Sequence, residues 1–85
     1  MMNEKEIIKL CNETLANEFE LQPGQLVPEA RFNEDLGLDS LDAVDMVVAL
    51  EEAFNYKLRD NEALSRIRTV NDLHNFVIDM VRKNQ

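Results

Sequence analysis

Residues 39–54 have the sequence DSLDAVDMVVALEEAF, a stretch rich in helix-forming residues. Ala, Leu, Met and Glu dominate it and neither Gly nor Pro interrupts it, which favours one continuous helix that begins at about Asp39 or Ser40 and ends at Phe54. At about 100° per residue, its apolar side chains form one continuous arc, as a helix packed on a core requires. The members of this arc are Ala43, Met46, Val47, Leu50, Ala53 and Phe54.

The same helix carries a second apolar stripe that begins beside Ser40. The stripe consists of Leu41, Val44 and Val48. The carboxylates that border it are Asp45, Glu51 and Glu52. One helix of a small bundle has difficulty burying two stripes, so a loop could cover the second, or it could be ordinary surface hydrophobicity that needs no partner. We favour a docking surface, since an apolar strip edged by carboxylates has the composition of an interface.

Charge supports the same interpretation, because the segment from Asn33 to Tyr56 is acidic and contains neither Lys nor Arg. Its acidic residues are Glu34, Asp35, Asp39, Asp42, Asp45, Glu51 and Glu52. A solvated helix face normally mixes both signs for mutual support, so a one-signed face predicts a surface that attracts basic proteins. The whole chain has 17 acidic and 9 basic residues and a net charge of -8. This charge disfavours binding to nucleic acid and favours a monomer.

Capping patterns predict the other helices. Asn3, with Glu6 three residues on, predicts the start of a first helix that ends before Pro23-Gly24. Thr69 and Asp72 have the same spacing at the start of the last helix. A short helix is predicted from Asn61 to Ile67, and it is too brief to be stable without packing.

The segment from Leu21 to Asp39 contains both prolines and both glycines and has no sustained period, which predicts a long connection with a functional role. The apolar residues expected to pin it onto the helices are Leu26, Val27, Phe32, Leu36 and Leu38. No strand-like alternation occurs in the chain. Residues 1–85 are therefore predicted to form a single all-α domain, a small four-helix bundle with three longer helices, one short helix and a long first loop.

Cysteine content and hydropathy suggest where the protein works. Cys11 is the only cysteine, which excludes an intrachain disulfide and fits a reducing compartment, and we expect it to pack as a small apolar residue. No apolar stretch approaches the length of a membrane span, and the first residues lack the features of a signal peptide. We expect a soluble, cytoplasmic protein without membrane insertion.

Ser40 stands where the predicted loop meets the predicted helix. A serine at this position is usually only a cap. The neighbourhood from Leu36 to Asp42 instead suggests an exposed hydroxyl with free backbone N–H groups nearby, which would suit a phosphate. A phosphodiester on this hydroxyl would also gain from the helix dipole.

The stretch Glu34-Asp35-Leu36-Gly37-Leu38-Asp39-Ser40-Leu41-Asp42 resembles the acyl carrier protein family, whose hallmark Asp-Ser-Leu stands here at Asp39-Ser40-Leu41. The resemblance continues through Val44, Val47, Leu50, Glu51, Glu52, Phe54 and the run Thr69-Val70-Asn71-Asp72-Leu73. It implies that a magnesium-dependent phosphopantetheinyl transferase attaches phosphopantetheine from coenzyme A to Ser40. The thiol of this arm would carry acyl intermediates as thioesters between enzymes of fatty-acid-like or polyketide-like biosynthesis. Ser40 would then be a substrate hydroxyl and not a catalyst.

The resemblance also implies roles for the residues around Ser40. Asp39 would help to orient the transferase. The residues that would contact acyl-transferring, ketosynthase-type or ligase enzymes through their basic patches are Leu41, Asp42, Val44, Asp45, Val48, Glu51 and Glu52. The residues that would line a cavity for the acyl chain are Met46, Leu50, Phe54, Leu64 and Ile67.

The chain departs from the usual family pattern before the last helix. Leu58-Arg59-Asp60 stands where many members have Ile-Pro-Asp, and this region is more basic than is typical. The basic residues concerned are Lys57, Arg59, Arg66 and Arg68. These departures suggest a specialised carrier that serves a narrower pathway.

Other functions fit the sequence less well. An enzyme with Ser40 as nucleophile and His74 as base is disfavoured, because no Gly-x-Ser-x-Gly turn surrounds Ser40 and His74 is expected to be an exposed or half-buried helix residue. A calcium-binding EF-hand is excluded, since Phe32, Leu36 and Ala43 would occupy ligand positions. An unmodified acidic helical adaptor that binds basic proteins and a stand-alone peptidyl or aminoacyl carrier stay open as alternatives.

Overall fold

The computed structural model describes residues 2–57 and 64–83. It has three α-helices, which we call α1 (Glu4–Phe19), α2 (Ser40–Phe54) and α3 (Val70–Lys83), and a 3-10 helix at Pro23–Gln25. Among the described residues the one β feature is an isolated bridge between Arg31 and Thr69. The all-α class is confirmed.

The predicted count of four helices is not confirmed. Most of the short helix expected at 61–67 lies outside the described residues, since 58–63 are not among them. Leu64 and Ser65, which are described, have helical backbone. Across 2–57 and 64–83 no helix is both long enough and apolar enough to cross a lipid bilayer.

Both capping boxes outside α2 form as the sequence predicts. Asn3 Oδ1 accepts a hydrogen bond from Glu6 N at 2.9 Å, and Asn3 N donates to Glu6 Oε1 at 3.1 Å. At the start of α3, Thr69 Oγ1 accepts from Asp72 N and Asp72 Oδ2 accepts from Thr69 N, both at 3.1 Å. Each box satisfies backbone N–H groups that would otherwise lack partners at a helix start.

Helix α1 lies in the middle of the packing, in contact with both α2 and α3. The fully buried side chains come from all three helices and are Ile7, Cys11, Leu15, Leu50, Val70, Leu73 and Val77. Burial raises the pKa of the Cys11 thiol to about 12, so the thiol stays neutral and packs as a small apolar group. The prediction for Cys11 is confirmed.

The long connection is held against the segment that leads into α3. Phe32 N donates to the Arg68 carbonyl at 3.0 Å, Val70 N to the Ala30 carbonyl at 2.9 Å, and Asn71 N to the Pro28 carbonyl at 2.9 Å. These three bonds join segments far apart in sequence and hold residues 28–32 of the connection beside the start of α3.

The side chains of the connection are buried to different degrees. Leu26 is buried, and Phe32, Leu36 and Leu38 are half-buried, as expected for residues that pin the loop. The expectation for Val27 is wrong, since 46% of it is exposed.

Candidate functional site

The start of α2 is built around a reciprocal capping box formed by Asp39 and Asp42. Asp39 has extended backbone, and its Oδ1 accepts hydrogen bonds from Leu41 N at 2.9 Å and Asp42 N at 3.1 Å. Asp42 Oδ2 in turn accepts from Asp39 N at 3.0 Å. Of the two capping residues that the sequence allowed, Asp39 takes the role.

Ser40 is consequently the first residue of α2, and its side chain is exposed. Since the carboxylate of Asp39 supplies the cap, the hydroxyl of Ser40 is not needed for it. No hydrogen bond within 2–57 and 64–83 engages Ser40 Oγ. The hydroxyl is available to another enzyme, as the sequence predicted.

The prediction of free N–H groups beside Ser40 is wrong for the two that the cap uses. Leu41 N and Asp42 N both donate to Asp39 Oδ1. Asp39 is the N-cap of α2, the position from which a side-chain oxygen can accept hydrogen bonds from the backbone N–H groups two and three residues on. A phosphate on Ser40 would therefore lie beside a carboxylate and not over two unoccupied N–H groups.

A compact turn, residues 31–38, delivers the chain to this helix start. Gly37 has φ of +69°, a left-handed conformation that glycine adopts without strain. Its N–H donates to the Asn33 carbonyl at 3.2 Å, and Leu38 N donates to the Phe32 carbonyl at 2.8 Å. The turn thus places the exposed hydroxyl of Ser40 directly after a fixed loop.

The carboxylates inside this turn have a cation of their own. Arg31 forms ion pairs with Glu34 and with Asp35, the latter at 3.1 Å between Nε and Oδ2. Hydrogen bonds from the Arg31 guanidinium, and after them the bond from Arg31 N to Asp35 Oδ2 at 2.8 Å, lower the pKa of Asp35. The guanidinium bonds to Asp35 also raise the pKa of Arg31. Glu34 and Asp35 therefore serve the loop.

A cleft of about 340 Å³ opens beside Ser40. Its apolar lining consists of Phe32, Leu38, Ala43, Met46, Leu64 and Ile67. Its charged lining consists of Glu34, Asp39, Asp42 and Arg68. Three of the five residues expected to line an acyl cavity, Met46, Leu64 and Ile67, therefore meet in one cleft with Ser40. The other two, Leu50 and Phe54, do not line this cleft and are buried in the core.

Sequence reasoning did not assign Phe32, Leu38 or Arg68 to this cleft. They come from the long connection and from the segment before α3, which the backbone bond from Phe32 N to the Arg68 carbonyl joins. No local pattern in the sequence signals that pairing.

The second apolar stripe of α2 is exposed. Leu41 is 75% exposed, Val44 62% and Val48 48%. A covering loop is thereby excluded among the described residues, and Asp45 and Glu52 beside the stripe are exposed as well. Glu51 and Asp42 are half-buried, and the carboxylate of Asp42 already accepts the bond from Asp39 N.

The core arc of α2 is confirmed except at its first member. Met46, Leu50 and Phe54 are buried, and Val47 and Ala53 are half-buried. Ala43 is exposed and lines the cleft beside Ser40. The prediction for Ala43 is wrong because the helix meets the cleft, and not the core, in its first turn.

His74 is held inside the bundle. It is only 5% exposed, so the expectation of an exposed or half-buried residue is wrong, and its Nε2 lies 2.7 Å from Asn12 Oδ1 on α1. Burial lowers the pKa of His74. Its ring links α3 to α1 and has a structural partner, which does not suit a base for Ser40.

Comparison with known proteins agrees with this geometry. A family model described as "Phosphopantetheine attachment site" matches residues 12–77. The chain is 40% identical over 80 residues to an acyl carrier protein of Thermosynechococcus vestitus, an alignment that covers 94% of this chain and 98% of that protein. It is 37% identical over 78 residues to an acyl carrier protein of Rubrobacter xylanophilus, which covers 92% of this chain and 95% of the relative. The matched residues include Ser40, the cleft and the exposed stripe.

Proposed function

The chain belongs to the acyl carrier protein family, and from this premise we propose that Ser40 is the residue that receives the prosthetic group. The protein is a carrier and not an enzyme, and its group is phosphopantetheine. The observation that carries the assignment to Ser40 is an exposed hydroxyl at the start of α2 whose capping role Asp39 has taken over. Residues 1–85 are proposed to act as one carrier domain.

The surroundings of Ser40 fit a group of this kind, because the hydroxyl borders an open cleft with apolar walls. When attached, phosphopantetheine supplies a terminal thiol on which acyl groups are carried as thioesters. Ser40 Oγ contributes the oxygen that bonds to phosphorus. The pyrophosphate bond of coenzyme A breaks as that bond forms, the adenosine bisphosphate half leaves, and the hydroxyl proton passes to a base on the transferase. No base is required from this chain.

Asp39 supports this role by fixing the helix start. Its carboxylate holds Leu41 N and Asp42 N, so that Ser40 is presented in helical conformation at a defined angle. A substrate hydroxyl held in one geometry reduces the ordering that a transferase must impose. We propose that Asp39 in this way orients Ser40 for the transferase.

We further propose that the exposed stripe of α2 is the surface on which partner enzymes dock. The residues of this surface are Leu41, Asp42, Val44, Asp45, Val48, Glu51 and Glu52. Its partners would be the phosphopantetheinyl transferase and acyl-transferring, ketosynthase-type or ligase enzymes with basic patches. Apolar anchors bordered by carboxylates favour fast, salt-sensitive association, which suits a carrier that must bind and release many times.

The cleft is the proposed location of the start of an acyl chain. Met46, Leu64 and Ile67 would contact it, and Leu50 and Phe54 lie deeper, where the core would have to open to admit a chain. A monomeric state and a cytoplasmic location remain predictions from the sequence, as does service in a specialised pathway.

Modification of Ser40 can be tested by intact mass. The purified chain is incubated with coenzyme A, magnesium and a phosphopantetheinyl transferase, and we expect one phosphopantetheine adduct. Ser40→Ala should abolish the adduct, whereas Ser65→Ala, which removes the other serine of the cleft, should retain it. No adduct on the wild-type chain, or an adduct that survives Ser40→Ala, would overturn the proposal and favour an unmodified adaptor.

A further inference from the structure

Arg68 is the one cation among the described residues that line the cleft beside Ser40. The other charged residues of that lining are Glu34, Asp39 and Asp42. Arg68 is fixed through its backbone, since its carbonyl accepts from Phe32 N at 3.0 Å and its N–H donates to Asp72 Oδ2 at 3.1 Å. Its position at the cleft is therefore set by the fold and not by a flexible tail.

At the start of α2, two of the N–H groups that could stabilise a phosphodiester on Ser40 are already in use. Bare N–H groups at a helix start commonly stabilise a phosphate, but Leu41 N and Asp42 N are bonded to Asp39. The carboxylates of Asp39 and Asp42 lie at the same end of α2 and repel a further negative charge. Within the described lining of the cleft, Arg68 alone has the sign that offsets this repulsion.

The side chain of Arg68 is suited to this task. It is exposed, and no carboxylate among the described residues forms an ion pair with it, whereas Arg31 and Arg82 each have such a partner. The neighbouring carboxylate is Asp72, whose lowered pKa is due first to the backbone N–H groups of Arg68 and Thr69 and least to the Arg68 charge. A guanidinium offers two parallel donors that match the oxygens of a phosphate.

We propose that Arg68 pairs with the phosphodiester formed on Ser40 and positions the first part of the prosthetic arm over the cleft. This inference rests on the proposed attachment at Ser40. It assigns Arg68 a positioning role and gives one of the basic residues before α3 a specific ligand. The basic character of the region before α3, which departs from the usual family pattern, would then serve to bind the phosphodiester.

The test compares apo and holo forms of the wild-type chain and three variants: Arg68→Gln, Arg68→Lys and Arg66→Gln. Arg66→Gln is the matched control. It removes the same charge only two residues from Arg68, but the side chain of Arg66 does not line the cleft. Intact mass first establishes full modification. Thermal melting then gives the Tm of the holo form minus that of the apo form, and phosphorus NMR of each holo protein reports the surroundings of the phosphodiester.

We expect the holo-minus-apo difference in Tm of Arg68→Gln to fall below that of the wild type by about 1 to 8 °C at low salt, the size of a surface ion pair in a small domain. Arg68→Lys should lose less, and Arg66→Gln should match the wild type. The phosphorus resonance should move in Arg68→Gln and stay in Arg66→Gln. High salt should bring the holo-minus-apo Tm differences of the wild type and Arg68→Gln closer together.

Two failures are distinguishable. A wild-type chain without an adduct on Ser40 overturns the attachment proposal itself. Full modification, with the same holo-minus-apo difference and the same phosphorus resonance in wild type and Arg68→Gln, overturns the role of Arg68 and leaves the attachment site intact.

Discussion

Helices α2 and α3 are nearly equal in length, at 15 and 14 residues, but they use their surfaces differently. Helix α3 buries six residues on one face, and its last turn is basic. There Lys83 pairs with Asp79 and Arg82 with Glu4 on α1. Helix α2 buries only Met46, Leu50 and Phe54 and has no basic residue in its last turn.

Helix α3 thus stabilises the fold, and α2 leaves one side exposed for partners. A helix whose apolar face is buried and whose charges are paired within the chain contributes to stability. A helix that exposes Leu41, Val44 and Val48 beside carboxylates forgoes part of that stabilisation. This exposed apolar surface therefore suits a function in which another protein covers it.

Replacement of leucine by alanine at three positions tests this contrast between α2 and α3 through the free energy of unfolding. Leu73→Ala on α3 and Leu50→Ala on the buried side of α2 each remove a fully buried side chain, and each should lower the free energy of unfolding by about 2 to 5 kcal/mol. Leu41→Ala on the exposed stripe should change it by no more than about 0.5 kcal/mol. Urea unfolding curves measure all three.

The control is internal, since Leu50 and Leu41 belong to one helix and lose the same atoms. An equal loss from Leu50→Ala and Leu41→Ala would mean that the stripe is needed for folding, and the contrast between the helices would fail. A Leu73→Ala variant that does not fold at all would place the stability of the wild type at the low end of the range of about 5 to 15 kcal/mol that is usual for small domains.

A smaller effect is expected on docking to the transferase. Val48→Ala shortens an anchor of the stripe, whereas Val27→Ala shortens a valine of nearly equal exposure on the long connection, at 48% and 46%. We expect Val48→Ala to lower kcat/KM for modification of Ser40 by about 2- to 10-fold, or roughly 0.5 to 1.5 kcal/mol. Val27→Ala should leave it unchanged.

Salt separates the apolar part of this surface from its charged part. The loss in Val48→Ala should persist at high ionic strength, since burial of methyl groups is not screened. Asp45→Asn should slow modification at low salt and match the wild type at high salt. Equal losses from Val48→Ala and Val27→Ala would show that the stripe is not the docking surface.

What could be predicted from the sequence was local. The capping boxes at Asn3 and Thr69 involve residues three apart, and the two apolar sides of α2 follow from helical periodicity alone. The exposed hydroxyl of Ser40 was predicted for the same reason. These features need no knowledge of how the helices pack.

What could not be predicted depended on contacts between distant segments or on competition for one donor. The cleft forms because Phe32 N bonds to the Arg68 carbonyl. These two residues are far apart in sequence, and no helical periodicity predicts that they meet. His74 is buried because α1 offers Asn12 to its ring. The N–H groups beside Ser40 were expected to be free, and Asp39 takes two of them.

Helix α3 buries the titratable His74, whereas α2 buries no titratable side chain on its core side. Asn12 Oδ1 can only accept, so Nε2 carries a proton and donates to it, and in the neutral ring the second nitrogen has none. Burial lowers the pKa of His74 below its ordinary value of 6.5. As the pH falls through 6.5, the unfolded chain therefore binds a proton that the folded chain resists, and the free energy of unfolding should decrease by at most about 1.4 kcal/mol per pH unit.

Urea unfolding between about pH 7.5 and 5.5 isolates this contribution. Asp35 and Asp72 also have shifted pKa values, but theirs are lowered from 3.8, so the stability they add is lost only at more acidic pH. His74→Gln keeps a donor for Asn12 and cannot titrate, so its stability should vary less with pH in this window, whatever its absolute value. The same pH slope in wild type and His74→Gln would mean that the ring accepts its second proton inside the bundle, and that the face of α3 against α1 is not as closed to water as its 5% exposure at His74 indicates.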